Sequence, residues 1–167
     1  QIDVLKTLAI EPLFKDFYLT GGTALSAFYL EHRYSDDLDL FTNDQKNVAR
    51  AEDAIRHIAK SLGAEIQWAK RIGTLTECSL VFSPNEKLEM DFALDMPGRL
   101  KPTLPAKAFG IDLDNILDIS CNKLSALYER GESKDYVDIF FIVREIMSFE
   151  ELWENARRRY PPLDLYG

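Results

Sequence analysis

Two aspartates, Asp37 and Asp39, sit in the run Asp36-Asp37-Leu38-Asp39-Leu40-Phe41, where acidic and apolar residues alternate. Read as a strand, the run puts Asp37 and Asp39 on one face and Leu38 and Leu40 on the other. The two carboxylates then stand roughly 6 to 7 Å apart along the strand. At ~6 Å and an effective dielectric of about 20 they repel by about 3 kcal/mol. A fold that holds them together calls for a cation, and hard oxygen donors favour Mg2+ or Mn2+. An isolated Asp-X-Asp is usually a solvated strand face. Here it follows a second chemical feature, Gly21-Gly22, whose backbone can turn sharply and approach a ligand closely. Thr23 comes next as a candidate helix cap ahead of Ala24, Leu25, Ala27, Phe28 and Leu30. Free amides beside a helix start suit a phosphate.

These groups need elements to hold them. Phe17-Tyr18-Leu19 reads as a short strand feeding the glycines. Residues 1–16 read as a short amphipathic helix interrupted near Pro12. Thr42-Asn43-Asp44 supplies cap residues for a helix whose stripe is Val48, Ala51, Ile55, Ile58 and Leu62, closed by Gly63. His57, beside that stripe, is expected to be a surface or packing residue. Strand patterns follow at Glu65 to Trp68, Thr74 to Phe82 and Lys87 to Leu94, with a turn at Ser83-Pro84-Asn85-Glu86. The last strand alternates Leu88, Met90 and Phe92 against Glu89 and Asp91, a second acidic face. Asp95 to Pro105, rich in proline, reads as a connector. Beyond it a helix beginning at Asp114 or Asp118 runs through Lys123 and Arg130 to Gly131, and Ser133 caps another carrying Lys134, Asp135 and Asp138. Lys123 and Arg130 share a face two turns apart, as do Asp135 and Asp138. Asp138 is expected to pair with Lys134 or Arg130.

Gly21-Gly22, a helix, and then Asp37-Leu38-Asp39 resemble the signature of the polymerase-beta-like nucleotidyltransferases. The fuller wording, GGTAL followed by HRYSDDLDLF, is similar to the AbiEii/AbiGii toxin-type branch, and the interval between Gly22 and Asp37 suits that branch. The later Asn-Lys-Leu-Ser-Ala-Leu-Tyr-Glu-Arg and Lys-Asp-Tyr-Val-Asp resemble its later motifs. The resemblance spans roughly residues 17–143. It implies an α+β fold, a polymerase-beta-like nucleotidyltransferase core over residues 1–105 with a small helical part, 106–167, packing back over the cleft. It implies transfer of a nucleoside monophosphate from a nucleoside triphosphate to an acceptor hydroxyl, and a toxin of a type IV toxin–antitoxin or abortive-infection system with an antitoxin protein as partner. Asp37, Asp39 and Asp91 are the expected metal-binding and catalytic carboxylates, with Glu89 an alternative to Asp91 on the same face. Lys123 and Asp135 complete the expected catalytic set. Gly21, Gly22, Thr23, Ser35, Lys123 and Arg130 are expected to hold the nucleotide phosphates.

Two other readings use the same residues, a magnesium-dependent phosphohydrolase and a partner-binding domain without catalysis. The acceptor stays open between transfer RNA ends, a protein hydroxyl and a small molecule. Composition bounds the rest. The 167 residues, 46% hydrophobic and 29% charged, are those of a globular domain with a real core. A net charge of −8 argues against a broad basic surface for nucleic acid. The run Arg157-Arg158-Arg159 is expected to be a solvated helix face. No apolar run approaches ~20 residues, so no membrane span is expected, and no signal peptide is visible after Gln1. Cys78 and Cys121 lack metal-ligand spacing and read as reduced thiols, which points to the cytoplasm.

Overall fold

The computed structural model describes residues 1–106 and 110–161. Helix α1 (Ile2–Ile10) leads through a 3-10 turn at Pro12–Asp16 into strand β1 (Phe17–Thr20) and helix α2 (Gly21–Leu25). That helix widens into a π-helical turn, Ser26–Leu30, and stops at Glu31 in the left-handed conformation. Strand β2 (Asp37–Thr42), helix α3 (Gln45–Leu62) and strands β3 (Glu65–Ile72), β4 (Leu75–Ser83) and β5 (Glu86–Leu94) follow. Two short strands, β6 (Leu104–Ala106) and β7 (Ile111–Leu113), precede helices α4 (Ile116–Glu129), α5 (Ser133–Glu145) and α6 (Phe149–Arg159).

The strands form one mixed sheet in the order β3-β4-β5-β2-β1-β7-β6, with β2 at its centre. It is antiparallel except where β2 meets β5 and β1 meets β7. Because side chains alternate, the register divides the sheet cleanly. Leu19, Leu38, Leu40, Leu80, Met90 and Phe92 are all buried. They lie on the face covered by α1 and α3, against Leu5, Leu8, Ile55 and Ile58. Phe14, Phe17 and Phe92 meet there with ring centroids 5.3 to 5.8 Å apart. The expected cap and stop of α3 are present, with Asp44 accepting from the Lys46 amide at 2.9 Å and Gly63 left-handed. His57 is on the surface, 2.6 Å from a Glu11 carboxylate oxygen.

Three expectations change. The sheet does not end near residue 105, because β7 pairs in parallel with β1 and the helices begin only at Ile116. Strands of three residues, one containing Pro105, are too short to show an alternating pattern. Residues 107–109 and 162–167 of the expected helical part lie outside the described residues. The caps also shift. Asn115, rather than Asp114 or Asp118, caps α4, and Glu132 precedes α5 without a side-chain cap bond.

The third change concerns the arginine run. Arg157 and Arg158 are exposed as expected, but Arg159 is 2% exposed. Its guanidinium donates to Asp118 at 2.6 Å and to Asp95 at 2.7 Å. Asp95 also accepts from Tyr18 at 2.5 Å and Arg99 at 3.3 Å, and Arg99 donates to Asp114 at 2.8 Å. Asp118 accepts from the Leu100 and Lys101 amides, both at 2.9 Å. The proline-rich connector is therefore pinned at several points, and α6 is bolted to α4 and to the end of β5. Removing one partner from a buried ion pair leaves an uncompensated charge. Arg159→Met should accordingly lower stability to urea by about 3 to 5 kcal/mol; a loss below about 1 kcal/mol would mean that the network carries no weight.

Candidate active site

Opposite the apolar face, the register lines polar residues across four strands. Thr20 pairs with Asp39, Asp39 with Asp91, and Asp91 with Glu77. Neighbouring strands lie about 4.8 Å apart, so the structure brings Asp39 and Asp91 side by side, with Asp37 two residues along the same face. The alternative, Glu89, pairs with Asp37 but is exposed and tied to Lys87 at 2.6 Å.

Such crowding is costly, and the acidities show it. Burial and the charges of Asp39, Glu77, Asp37 and Glu89 push Asp91 up to about 7. Burial also raises Asp39, abetted by Asp37 and opposed by the Lys123 and Lys134 ammoniums and by a hydrogen bond from the Gly22 amide. Among the described residues no three His, Cys, Asp or Glu side chains form a ready-made metal cluster. The donor set nonetheless fits a hard divalent cation. It consists of carboxylate oxygens whose mutual repulsion a cation would relieve, and Lys134 already stands 3.6 Å from Asp37 Oδ2.

The glycines prove to be carved around this cluster. Gly21 has φ +67°, and a Cβ built there would stand 1.7 Å from Asp39 Oδ2. A Cβ on Gly22 would stand 2.6 Å from Arg33 Nη2 and 2.7 Å from Ser35 Oγ. Thr23 lies inside the helix rather than at its cap, and its hydroxyl donates to the Asp37 carbonyl, fixing the start of β2. The Ser35 carbonyl accepts from the Gln1 side chain at 2.8 Å.

Helices α4 and α5 supply the cations. Lys123 is buried, 2.9 Å from Asp138 Oδ2 and 3.7 Å from Asp135 Oδ1. Arg130, just past α4, forks onto Asp135 at 2.9 and 3.1 Å. Asp138 does not pair with Lys134 or Arg130. Its partners are Lys123, the Arg33 fork at 2.7 and 2.9 Å, and His32 Nε2 at 2.7 Å. Despite burial, those donors hold its carboxyl down at about 2. Asp135 is likewise lowered, against its burial, by Arg130 and Lys123. Sequence reasoning missed Arg33, His32 and Glu77. The His-Arg pair stood next to Asp37, but its partner lies 105 residues further on. Glu77 had no signal beyond strand alternation.

A family model described as "Nucleotidyl transferase AbiEii toxin, Type IV TA system" matches residues 3–161. The chain belongs to this family. It is an AbiEii-type nucleotidyltransferase, and the family assigns it a toxin role. It is similar to an uncharacterized protein of Aquifex aeolicus, 28% identical over 170 residues covering 98% of this chain and 76% of that protein. Among solved structures it is similar to MenT4, a nucleotidyltransferase toxin of Mycobacterium tuberculosis, with a TM-score of 0.63 and 18% identity, covering 93% of this chain and 60% of that one. It is also similar to the antibiotic-resistance factor ANT(2'')-Ia, with a TM-score of 0.64 and 13% identity, covering 96% and 93%. At these identities the structural likenesses speak for the nucleotidyltransferase fold. No described helix is long and apolar enough to cross a membrane.

Two measurements follow for this nucleotidyltransferase. Asp91 rises from 3.8 to about 7 on folding, so between those values the folded state holds more proton than the unfolded one. Stability of the metal-free protein should therefore fall as pH rises from about 4 to 7, and Asp91→Asn should flatten that slope in thermal melts. Asp138 acts oppositely, since its stabilisation is lost as pH falls from 3.8 toward about 2. Gly21→Ala should cost at least about 1 to 3 kcal/mol in stability through its backbone conformation and should displace Asp39, abolishing transfer. A stable, active Gly21→Ala enzyme would contradict the cradle.

Proposed function

We propose that the protein is a metal-dependent nucleotidyltransferase that moves a nucleoside monophosphate from a nucleoside triphosphate to an acceptor hydroxyl, as the toxin of a type IV toxin–antitoxin pair. The observation that carries this reading is the Asp39–Asp91 pairing beside Asp37, which concentrates hard oxygen donors on one sheet face next to a glycine turn. Asp37, Asp39 and Asp91 would hold Mg2+ or Mn2+. When bound, the metal supplies charge neutralisation at the transferred phosphoryl group and at the attacking and leaving oxygens. Asp91, a carboxylate on the acceptor side of the cluster, would also be placed to assist removal of the acceptor hydroxyl proton. The Gly21 amide, with Ser35, would face the outer phosphates, the Gly22 amide being already committed to the Asp39 carboxylate. Lys123 and Arg130 would bring positive charge from the helical half. Thr23 would contribute indirectly by seating Asp37.

A cavity of about 520 Å3 opens at the Asp37 and Lys134 end of the site, lined further by Phe82, Lys87 and Glu89, but its lining does not include Asp39, Asp91 or Lys123. The substrates follow from the same chemistry. The donor is a nucleoside triphosphate. The acceptor is a hydroxyl on a transfer RNA end, a protein or a small molecule, and an antitoxin protein is the expected partner. The free, buried Cys78 and Cys121 suit a cytoplasmic setting.

Incubation with α-labelled and γ-labelled triphosphates in magnesium, with cell extract as acceptor source, tests the reading. Label should enter an acceptor from the α position only, with pyrophosphate released. Free labelled nucleotide and no labelled acceptor would instead identify a phosphohydrolase. Asp37→Asn and Asp39→Asn should each abolish transfer without loss of the fold, because each removes a ligand charge that was repulsive in the metal-free protein. Near-normal transfer by either variant would refute the assignment. Lys123→Ala should weaken triphosphate use more than Arg130→Ala does, with turnover and binding compared under matched magnesium.

A further inference from the structure

One buried carboxylate collects cations from both halves of the molecule. Asp138, on α5, is fully buried. Its Oδ1 accepts from Arg33 Nε at 2.7 Å and from His32 Nε2 at 2.7 Å, while Oδ2 accepts from Arg33 Nη2 at 2.9 Å and lies 2.9 Å from the Lys123 ammonium. His32 and Arg33 belong to the loop that delivers Asp37 to the sheet, whereas Lys123 comes from α4. We propose that Arg33, assisted by His32, is a positioning residue for nucleotidyl transfer, clamping Asp138 so that Lys123 is held at a fixed place beside the β2 carboxylates.

The physical reasoning runs through lone pairs. A carboxylate can accept about four hydrogen bonds, and the bidentate fork of an arginine fixes its plane as well as its charge. With Arg33 and His32 occupying Asp138, only one direction is left for Lys123. Without them Asp138 would carry free lone pairs in a buried site, and the flexible lysine would be drawn onto them and away from Asp39. The guanidinium is itself seated on both sides. Its Nη1 donates to the Tyr34 carbonyl at 2.9 Å, and Gly22 leaves the space that Nη2 fills. His32 packs on Phe141 with ring centroids 5.0 Å apart and is buried. Asp138 accepts only, so the hydrogen-bond network assigns the imidazole proton to Nε2. Nδ1 has no partner among the described residues, so what the clamp takes from His32 is a single donor. Arg33 Nη2 lies 2.6 Å from where a Gly22 Cβ would stand, and the neighbouring Gly21 abuts the Asp39 carboxylate, so the fork that fixes Asp138 and Lys123 sits next to the β2 carboxylates.

The inference rests on the proposed role of Lys123 at the triphosphate. Its test is a double-mutant cycle on triphosphate binding and on kcat and KM, using wild type, Arg33→Gln, Lys123→Met and the double variant, with thermal melts and circular dichroism alongside. Each single variant should weaken binding by about tenfold or more, the size of one charge-assisted contact. The double variant should be no weaker than Lys123→Met alone. His32→Gln, which keeps a donor, should retain more affinity than His32→Ala, and Arg33→Lys, which keeps charge without the fork, should fall between Arg33→Gln and wild type. Multiplicative losses in the double variant would overturn the proposal, because Arg33 would then act independently of Lys123. So would unchanged binding in folded Arg33→Gln beside weak binding in Lys123→Met. Equal binding by wild type and Lys123→Met would overturn it too, and would place the failure in the proposed role of Lys123 rather than in the clamp.

Discussion

The parallel register of β2 on β5 sets Asp39 directly against Asp91, and much of the surrounding structure answers that repulsion. One answer is local. Gly21 gives up its side chain so that the Asp39 carboxylate has somewhere to lie, and the Gly22 amide donates to it. A second comes from the helices, which lodge Lys123 and Lys134 near the cluster. The third is protonation of Asp91, raised to about 7. A group left half-protonated near neutral pH has not had its charge fully compensated by the protein. That residual demand for positive charge is what a divalent cation would meet.

The helical half is held by two separate ionic knots. Asp138 gathers His32, Arg33 and Lys123, while Arg159 joins Asp95 and Asp118. Buried ion pairs add little net stability compared with apolar packing, but they are intolerant of misplacement. Here that intolerance is useful, because the cations must be placed accurately relative to a strand distant in sequence. The two knots thus join different parts, one tying α6 to α4 and to the end of β5, the other tying the loop before β2 to Asp138 and Lys123.

Much of this was legible before any coordinates. The shared faces of Asp37 with Asp39 and of Glu89 with Asp91 could be read because strand alternation reports a face directly, the preference for Asp91 came from the family resemblance, and the stripe on α3 followed from helical periodicity. The glycines were singled out for a turn, but only the structure shows that Gly21 is small because Asp39 fills its space. Thr23 looked like a cap because its type favours caps, yet its hydroxyl is claimed by the Asp37 carbonyl. Arg159 looked like solvated surface because its neighbours Arg157 and Arg158 are, and nothing local distinguishes the one arginine that turns inward to Asp95 and Asp118. The partners of Asp138 were misassigned for the same reason. Sequence proximity favoured Lys134 and Arg130, whereas tertiary packing brings Arg33 across 105 positions.

The most direct test of this account is Mn2+ affinity measured by titration across pH 5 to 8 in the wild type, Asp39→Asn and Asp91→Asn. The wild type should bind, with affinity rising with pH until about 7 as the metal displaces the Asp91 proton, and each variant should bind at least about tenfold more weakly. Wild-type affinity in Asp39→Asn, or no pH dependence below 7 in the wild type, would contradict the claim that the β2–β5 register builds a cation site.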